Sequence, residues 1–278
     1  ELNLDGVVRL MVGREMAQLT QRAPKPPGPV ALRVVGLRRW PAVKEVSFEA
    51  RRGEILGFAG LMGSGRTETM RALFGADARE AGSVYLHGAS LPATIRWPRD
   101  AVRQGLALLT EDRKQQGLLL PQPVRVSITL PSLGGFSRAG GWIQSAAERL
   151  QAGRWAARLG VRCHSLEQRV VELSGGNQQK VVIAKWLLRD CDILIFDEPT
   201  RGIDVGAKFE IYQLLGELAD QGKAVLVVSS DLKELLALCD RIAVMSAGRL
   251  VATFARGEWT EDKIMTAALS GYLEPQPA

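Results

Sequence analysis

The chain has 278 residues, of which 46% are apolar and 24% are charged, and its formal net charge is +6. A chain of this length and apolar content can bury a sizeable core, and we expect one large α/β domain with an inserted helical part. No apolar run approaches the ~20 residues that a membrane-spanning helix requires. The three cysteines are isolated from one another, which argues against a disulfide framework or a zinc site.

The basic residues are spread along the chain rather than concentrated in one block. This distribution favours a solvated surface over a nucleic-acid groove, and attraction to acidic lipid headgroups stays open. The first five residues include two acidic side chains and no basic one, and no long apolar stretch follows them, so we expect no secretory leader. The absence of an initiating Met suggests a fragment, and the free cysteines favour a reducing cytosol.

The opening segment predicts a helix followed by a linker. Positions 4, 7, 8 and 11 are apolar, which is the spacing of an amphipathic helix. Residues 24–29 read Pro-Lys-Pro-Pro-Gly-Pro, which breaks the pattern and forms an extended, semi-rigid spacer. We therefore assign 1–29 to a helix and Pro-rich linker, 30–274 to the main domain and 275–278 to a tail. An ordinary terminal helix packed on its own domain is the alternative.

After two short predicted strands, at 31–35 and 43–48, a glycine-rich loop joins an apolar strand to a helix. The apolar run is 55–59, the helical pattern is 68–74, and the loop between them is Gly60-Leu61-Met62-Gly63-Ser64-Gly65-Arg66-Thr67. The glycines let the backbone curl so that successive N–H groups form a phosphate nest, and Thr67 offers a hydroxyl to Mg²⁺. This context predicts a P-loop with one departure, because Arg66 stands where the motif has Lys.

Two further segments point to the same ligand. The first is the helix start Leu173-Ser174-Gly175-Gly176-Asn177-Gln178-Gln179, whose serine and glycines expose backbone N–H groups to an anion. The second is the apolar strand that begins at Ile193 and ends in Asp197 and Glu198. One acid at such a strand end can hold Mg²⁺ and the next can orient an attacking water. Alone, each fits a capped helix or a strand ending in a turn; in this order they indicate ATP.

At these residues the chain resembles an ATP-binding-cassette (ABC) ATPase domain over nearly its whole length. Residues 173–179 are similar to the LSGGQ-type motif of that family, and 196–200 to its Walker B segment. The resemblance implies an α/β fold: a P-loop NTPase (RecA-like) core with an ABC-type antiparallel β subdomain and an inserted helical subdomain, which we place at about 121–171. It also implies that Trp40 stacks on adenine, although packing is the alternative for a Trp near a loop.

Two other positions depart from the family pattern. Glu111, in the run Glu111-Asp112-Arg113-Lys114, stands where the family has a Gln that touches Mg²⁺ or its water. A carboxylate accepts but cannot donate a hydrogen bond, so the contact to the γ-phosphate end changes. Ser230, after the apolar strand 224–228, fills the place of a switch His. Its hydroxyl is shorter than an imidazole and cannot become a cation, so it cannot stabilise γ-phosphate charge in the same way.

Family members work as head-to-tail pairs, in which each ATP lies between one domain's P-loop and the Ser-Gly-Gly helix of the other. The resemblance therefore implies an altered P-loop site and an intact Ser174 helix that completes the partner's site. Asp204, in the run 201–204, matches the loop that crosses the dimer axis, and it is also suited to cap the next helix. Both roles can hold.

The resemblance assigns roles to the following residues. Expected nucleotide contacts are Trp40, Gly60, Leu61, Met62, Gly63, Ser64, Gly65, Arg66, Thr67, Glu68, Glu111, Ser174, Gly175, Gly176, Gln178 and Asp204. Thr67, Glu111 and Asp197 are expected at Mg²⁺, and Glu198 and Ser230 in catalysis.

The opening helix, the linker and the loop at 111–114 resemble the second ATPase domain of tandem-domain bacterial importers for simple sugars. This implies an ATPase bound peripherally at the cytoplasmic face of the membrane. Its expected partners are ATP, a first ABC domain, membrane permease subunits and, indirectly, a periplasmic-type sugar-binding protein. Two alternatives stay open: a non-catalytic regulatory nucleotide-binding module, and a soluble ABC ATPase acting on nucleic acid or ribosomes. Against the latter, the sequence has no zinc cysteines and no dense basic insertion, so we expect no nucleic acid.

Overall fold

The computed structural model of the chain describes residues 26, 28–138 and 140–273. The helix predicted at the start of the chain and the tail at 275–278 lie outside the described residues, as do residues 24, 25 and 27 of the predicted linker. The described part falls into two compact units. The first comprises the chain up to 108, 192–200 and the chain from 205 onward; the second comprises 109–191 and 201–204. The second unit contains the segment 121–171 and extends beyond it on both sides.

The described residues contain one mixed sheet of nine strands. The strands are β1 Val30–Arg39, β2 Val43–Arg51, β3 Ile55–Gly60, β4 Ala81–Leu86, β5 Leu106–Leu109, β6 Ile193–Asp197, β7 Ala224–Val228, β8 Arg241–Ser246 and β9 Arg249–Ala255. Their order across the sheet is β4-β1-β2-β9-β8-β3-β7-β6-β5.

The sheet has an antiparallel part and a parallel part. β1 pairs antiparallel with β2 and with β4, whereas β3 pairs parallel with β7 and β8, and β6 parallel with β7. All residues of β6 and β7 are buried. Such continuous apolar runs are typical of parallel strands that are covered on both faces. The first two strands are longer than predicted, because the pairing continues past bulges to Arg39 and Arg51.

Helices connect these strands and build the second unit. They are α1 Arg66–Phe74, α2 Pro98–Arg103, α3 Val124–Thr129, α4 Ser145–Arg158, α5 Gly175–Arg189, α6 Val205–Asp220, α7 Leu232–Leu238 and α8 Glu261–Leu273. A π-helical turn covers Arg113–Gly117. Within the described ranges, no helix is both long enough and apolar enough to cross a membrane.

A buried ion pair anchors the helices of the second unit. The Glu148 side chain on α4 is buried and accepts from Arg125 Nη1 at 2.5 Å and from Thr129 Oγ1 at 2.7 Å. Arg125 Nε also donates to Glu167 at 3.0 Å. A buried carboxylate is tolerated when several donors replace its water, and these bonds hold α3 and α4 together.

Candidate functional site

Three loops of the first unit meet at one edge of its sheet. β3, β6 and β7 run parallel, with Phe58 of β3 and Asp197 of β6 both in register with Val228 at the end of β7. The carboxyl ends of parallel strands are where α/β proteins place ligands. The structure thereby brings together the loop 60–67, the pair Asp197-Glu198 and the pair Ser229-Ser230.

The glycine-rich loop leads directly into α1. Gly65 precedes the helix with φ 94°, a left-handed conformation, and a Cβ there would overlap the carbonyl oxygen of Ala42. No side chain caps this helix, so its first-turn N–H groups have no side-chain cap acceptor. Ser64 is buried, and its hydroxyl has no hydrogen-bond partner among the described residues. An uncapped helix start behind a glycine loop suits a phosphate.

The other side chains of the loop and the first turn of α1 differ in their exposure to solvent. Met62 is 89% exposed and Leu61 is half-buried. Glu68 is half-buried in the first turn of α1. The predicted nucleotide contacts of Leu61, Met62 and Glu68 stay predictions.

Arg66 is bonded to its own unit. Its side chain is buried, and Nη1 donates to the carbonyl oxygen of Ser229 at 2.5 Å. Burial lowers the pKa of the guanidinium, while the nearby carboxylates of Glu198 and Asp197 act in the opposite direction. The positive charge at the motif's Lys position is thus placed against the end of β7.

Thr67 and Asp197 form a pair of oxygen ligands. Thr67 Oγ1 donates to Asp197 Oδ1 at 3.1 Å, and Asp197 is buried. Burial raises the pKa of Asp197 to about 6, the bond from Thr67 lowers it, and the neighbouring Glu198 raises it further. Among the described residues no three His, Cys, Asp or Glu side chains cluster as a metal site. Two oxygens fit Mg²⁺, which commonly takes one or two protein ligands and fills the rest with phosphate and water.

Ser230 contacts the candidate general base. Its hydroxyl donates to Glu198 Oε2 at 3.2 Å, and Ser230 is exposed. The Glu198 backbone has φ 49°, and its N–H donates to the Val228 carbonyl at 2.9 Å. The switch position is therefore coupled to Glu198 through a hydroxyl, a partner that the sequence did not indicate.

In the second unit, Ser174 caps α5. Its hydroxyl accepts from Asn177 Nδ2 at 2.9 Å and from the Asn177 backbone N–H at 3.5 Å. Gly175 follows as the first helical residue, and a Cβ there would lie 2.7 Å from Nη2 of Arg113. The guanidinium of Arg113 thus lies against the helix start. Sequence reasoning missed this residue, and its only signal was the charge of the loop at 111–114.

The charged loop is tied to the segment 201–204. Glu111 forms an ion pair with Arg201, and Arg113 Nη1 donates to the Arg201 carbonyl oxygen at 3.1 Å. Asp112 accepts from the N–H groups of Lys114 and Gln115 and begins the π-helical turn. The Glu111 carboxylate is engaged by a cation, and its contact with Mg²⁺ stays a prediction.

The side-chain amide of Gln178 is engaged within the second unit. It is buried, and Nε2 donates to the carbonyl oxygens of Val170 and Leu173, each at 3.2 Å. These bonds hold the turn before α5, and the predicted nucleotide contact of Gln178 stays a prediction. Trp40 by contrast is 63% exposed, and Asp204 is exposed just before α6. Their predicted roles at the nucleotide stay predictions.

Comparison with known proteins identifies close relatives. The chain is 48% identical over 274 residues to a "Putative ribose/galactose/methyl galactoside import ATP-binding protein" of Geobacillus kaustophilus, covering 99% of this chain and 54% of the relative. A "Putative ribose/galactose/methyl galactoside import ATP-binding protein 2" of Burkholderia cenocepacia is 49% identical, covering 96% of this chain and 52% of the relative. The chain spans about half the length of the curated relatives it matches.

Solved structures show the same fold. A nucleotide-free ATP-binding cassette from an ABC transporter superposes with a TM-score of 0.71 at 20% identity, covering 88% of this chain and all of that one. A dimeric cassette in a post-hydrolysis state, bound to ADP and phosphate, gives a TM-score of 0.68 at 21% identity, covering 82% of this chain and all of that one. The family model described as "ABC transporter" matches residues 43–201. The chain belongs to the ABC transporter family and has the fold of its ATP-binding cassettes.

Proposed function

We propose that the chain is the second ATP-binding half of an importer for simple sugars, and that it couples ATP binding and hydrolysis to movement of a membrane permease. The observation that carries this proposal is the identity of 48–49% with ribose/galactose-type import proteins over nearly the whole chain. The protein would act at the cytoplasmic face of the membrane, beside a first ABC domain and permease subunits. A sugar-binding protein would take part indirectly.

The chain's own P-loop site binds ATP and turns it over slowly. The uncapped start of α1 and the buried Ser64 hydroxyl support phosphate binding. Thr67 and Asp197 would hold Mg²⁺, which supplies charge neutralisation at the phosphates when bound. Slow turnover is supported by Arg66, whose guanidinium is engaged by the Ser229 carbonyl, and by the serine at the switch position.

The Ser174 helix completes the ATP site of the first domain. Its support is the arrangement of α5, whose capped start places Gly175 at the first helical position without a side chain. The guanidinium of Arg113 beside Gly175 adds positive charge at the same place. A γ-phosphate approaching this helix would meet backbone N–H groups at the positive end of the helix dipole.

A regulatory module that binds ATP without turnover is the second candidate. It is favoured by one observation, the bond from Arg66 to Ser229. If hydrolysis at this site were absent altogether, the chain would serve only as a clamp for its partner. No contact among the described residues favours the nucleic-acid alternative.

The test is made on the proposed full-length protein, in which this chain follows a first ABC domain, co-expressed with permease subunits of a sugar importer. We expect the two to co-purify and to drive ATP-dependent uptake of radiolabelled ribose or galactose into vesicles. Fluorescent-nucleotide titration and phosphate release on the isolated chain then separate binding from turnover. Salt-dependent binding to duplex DNA or ribosomes, with no permease association, would overturn the proposal.

A further inference from the structure

A buried carboxylate lies behind the strand ends that carry Glu198 and Ser230. Glu234, on α7, is 4% exposed. Its Oε1 accepts from Thr200 Oγ1 at 2.9 Å, and its Oε2 accepts a short bond from Ser229 Oγ. Thr200 and Ser229 are themselves buried. All these groups belong to the first unit.

The two hydroxyls belong to different loops of the site. Thr200 follows β6 and stands two residues after Glu198, whereas Ser229 follows β7 and immediately precedes Ser230. One carboxylate therefore ties together the loops that carry the candidate base and the switch residue. The same Ser229 supplies the carbonyl oxygen that accepts from Arg66. Glu234 thus bonds Thr200 and Ser229 directly and is linked to Arg66 through Ser229.

The donors and acceptors at Glu234 define what can replace it. Burial raises the pKa of Glu234, and the bonds from Ser229 and Thr200 act against that rise. Both hydroxyls donate, so both oxygens of residue 234 accept in this arrangement, and the Tyr212 hydroxyl is a further hydrogen-bonding neighbour of Glu234 and Thr200. A carboxylate accepts at both oxygens, but an amide offers one acceptor and one donor group. Glu234→Gln keeps the volume of the side chain but replaces one acceptor by an NH2 donor, so one of the two hydroxyls must turn from donating to accepting and its present link is altered.

We propose that Glu234 is a positioning residue of the nucleotide site, which holds Glu198 and Ser230 in the geometry that ATP hydrolysis requires. It acts through Thr200 and Ser229 and contacts no reacting atom. This inference rests on the proposed function only in that the site turns over ATP. The link between the two loops can be tested without turnover.

The first test is amide hydrogen exchange on the isolated chain without nucleotide. The backbone N–H of Glu198 donates to Val228, and that of Asp231 donates to Ser229 Oγ. Glu234→Gln should speed exchange at 198–200 and 229–231 by at least tenfold, and leave α6 unchanged. Thr200→Val should act on the first segment more than on the second. The matched control is Glu217→Gln, which removes an exposed carboxylate from α6.

The second test is a mutant cycle on ATP hydrolysis by the full-length protein, in a background where the general base of the first ABC domain is mutated so that only this chain's site turns over. Glu234→Gln should lower kcat about tenfold with KM within twofold of the parent. In a Glu198→Gln background it should cause no further loss, because the group that it positions is gone. Additive losses of activity in the double variant would overturn the proposal. So would a hydrogen-exchange rate in Glu234→Gln that matches the Glu217→Gln control, or one that rises equally throughout the unit. If the parent shows no turnover at this site, the proposed hydrolysis fails and the exchange result alone decides the role of Glu234.

Discussion

The P-loop site of the first unit and the Ser174 helix start of the second are built in different ways. In the first, two of the side chains that would meet ATP are already engaged: Arg66 by the Ser229 carbonyl, and Ser230 by Glu198. Binding of ATP in its usual geometry would have to compete with these bonds. A buried charged hydrogen bond contributes about 1.5–3 kcal/mol, which is enough to weaken binding or turnover substantially.

At the helix start of the second unit, ATP would have fewer side-chain hydrogen bonds to displace. Ser174 is used for capping, and Gly175 presents backbone only. Arg113 lies beside Gly175 and is bonded to a backbone oxygen of the same unit. A phosphate could therefore reach the N–H groups without first displacing a side chain of the helix. The difference between the regions predicts that lesions in the second cost more than lesions in the first.

The largest expected effect is that of closing the helix start. Gly175→Val or Gly176→Val in the complete transporter should abolish transport and steady-state ATPase, because a side chain fills the space that the partner's phosphate needs. Arg66→Ala should leave a measurable fraction of both activities, since it damages only the site that is already altered. Uptake and phosphate release measured side by side check this. Equal losses, or a larger loss from Arg66→Ala, would show that the two sites share the work.

Arg113 complicates this experiment at one position. A side chain at residue 175 would also push against the Arg113 guanidinium, since even a Cβ lies 2.7 Å from Nη2. Gly175→Val combined with Arg113→Ala separates the two causes. If the double variant recovers activity, displacement of Arg113 rather than exclusion of phosphate accounts for the loss.

The next effect is that of the candidate base. Glu198→Gln should slow hydrolysis at this chain's own site by about 10²–10⁴-fold and leave Mg·ATP binding in place, as for a lost general base. Single-turnover phosphate release and nucleotide titration measure the two separately. Ser230→Ala is the matched variant, because it removes only the bond to Glu198 and should cost less. An unchanged ATPase rate in Glu198→Gln would make this site a binding site only.

Local patterns in the sequence were enough to predict the strands and the loop that build the P-loop site. The run 224–228 is β7 as predicted, and the apolar strand before Glu198 ends at Asp197. These segments are predictable because buried parallel strands are apolar throughout and glycines mark the loop between strand and helix. The first strand was predicted too short, because Arg38 and Arg39 pair in the sheet despite their charge.

The directions of polar side chains could not be read in the same way. Arg66 meets Ser229 across 163 positions of sequence, and no local pattern encodes that contact. Gln178 lies in a helix start that exposes its neighbours, yet its own side chain turns inward to two carbonyls. In the sequence, Glu234 is one charged residue of a short helix, and only the structure shows that two hydroxyls donate to it. Such contacts depend on tertiary packing.

A smaller effect concerns the proton on Asp197. Its pKa is raised to about 6 from 3.8, so its contribution to stability is complete below 3.8 and is lost as pH rises through about 6. Without nucleotide, Asp197→Asn should therefore raise the unfolding midpoint at pH 7 and flatten its pH dependence. Because Mg²⁺ needs the ionised form, Mg²⁺-dependent ATP affinity of the parent should fall as pH drops below about 6. An affinity that is constant from pH 7 to 5 would contradict the assignment of Asp197 to the metal.

The smallest expected effect is on the pH dependence of stability, and it concerns Lys185 in the second unit. Lys185 Nζ donates to the Gly117 carbonyl at 2.7 Å and fixes the end of the π-helical turn that follows Glu111. Burial lowers the pKa of Lys185 to about 8 from 10.5, so the folded unit disfavours its charge and stability should rise as pH increases from 8 to 10.5. In Lys185→Met, loss of the disfavoured charge stabilises the unit, whereas loss of the hydrogen bond destabilises it. Near pH 7 the free energy of unfolding should therefore change by only about 1 kcal/mol. Urea unfolding from pH 7 to 10 should show the slope in the parent and in the control Lys114→Met, which changes an exposed lysine of the same loop, but not in Lys185→Met. A slope that survives in Lys185→Met would assign the pH dependence to another group and remove the support for a buried lysine holding this loop.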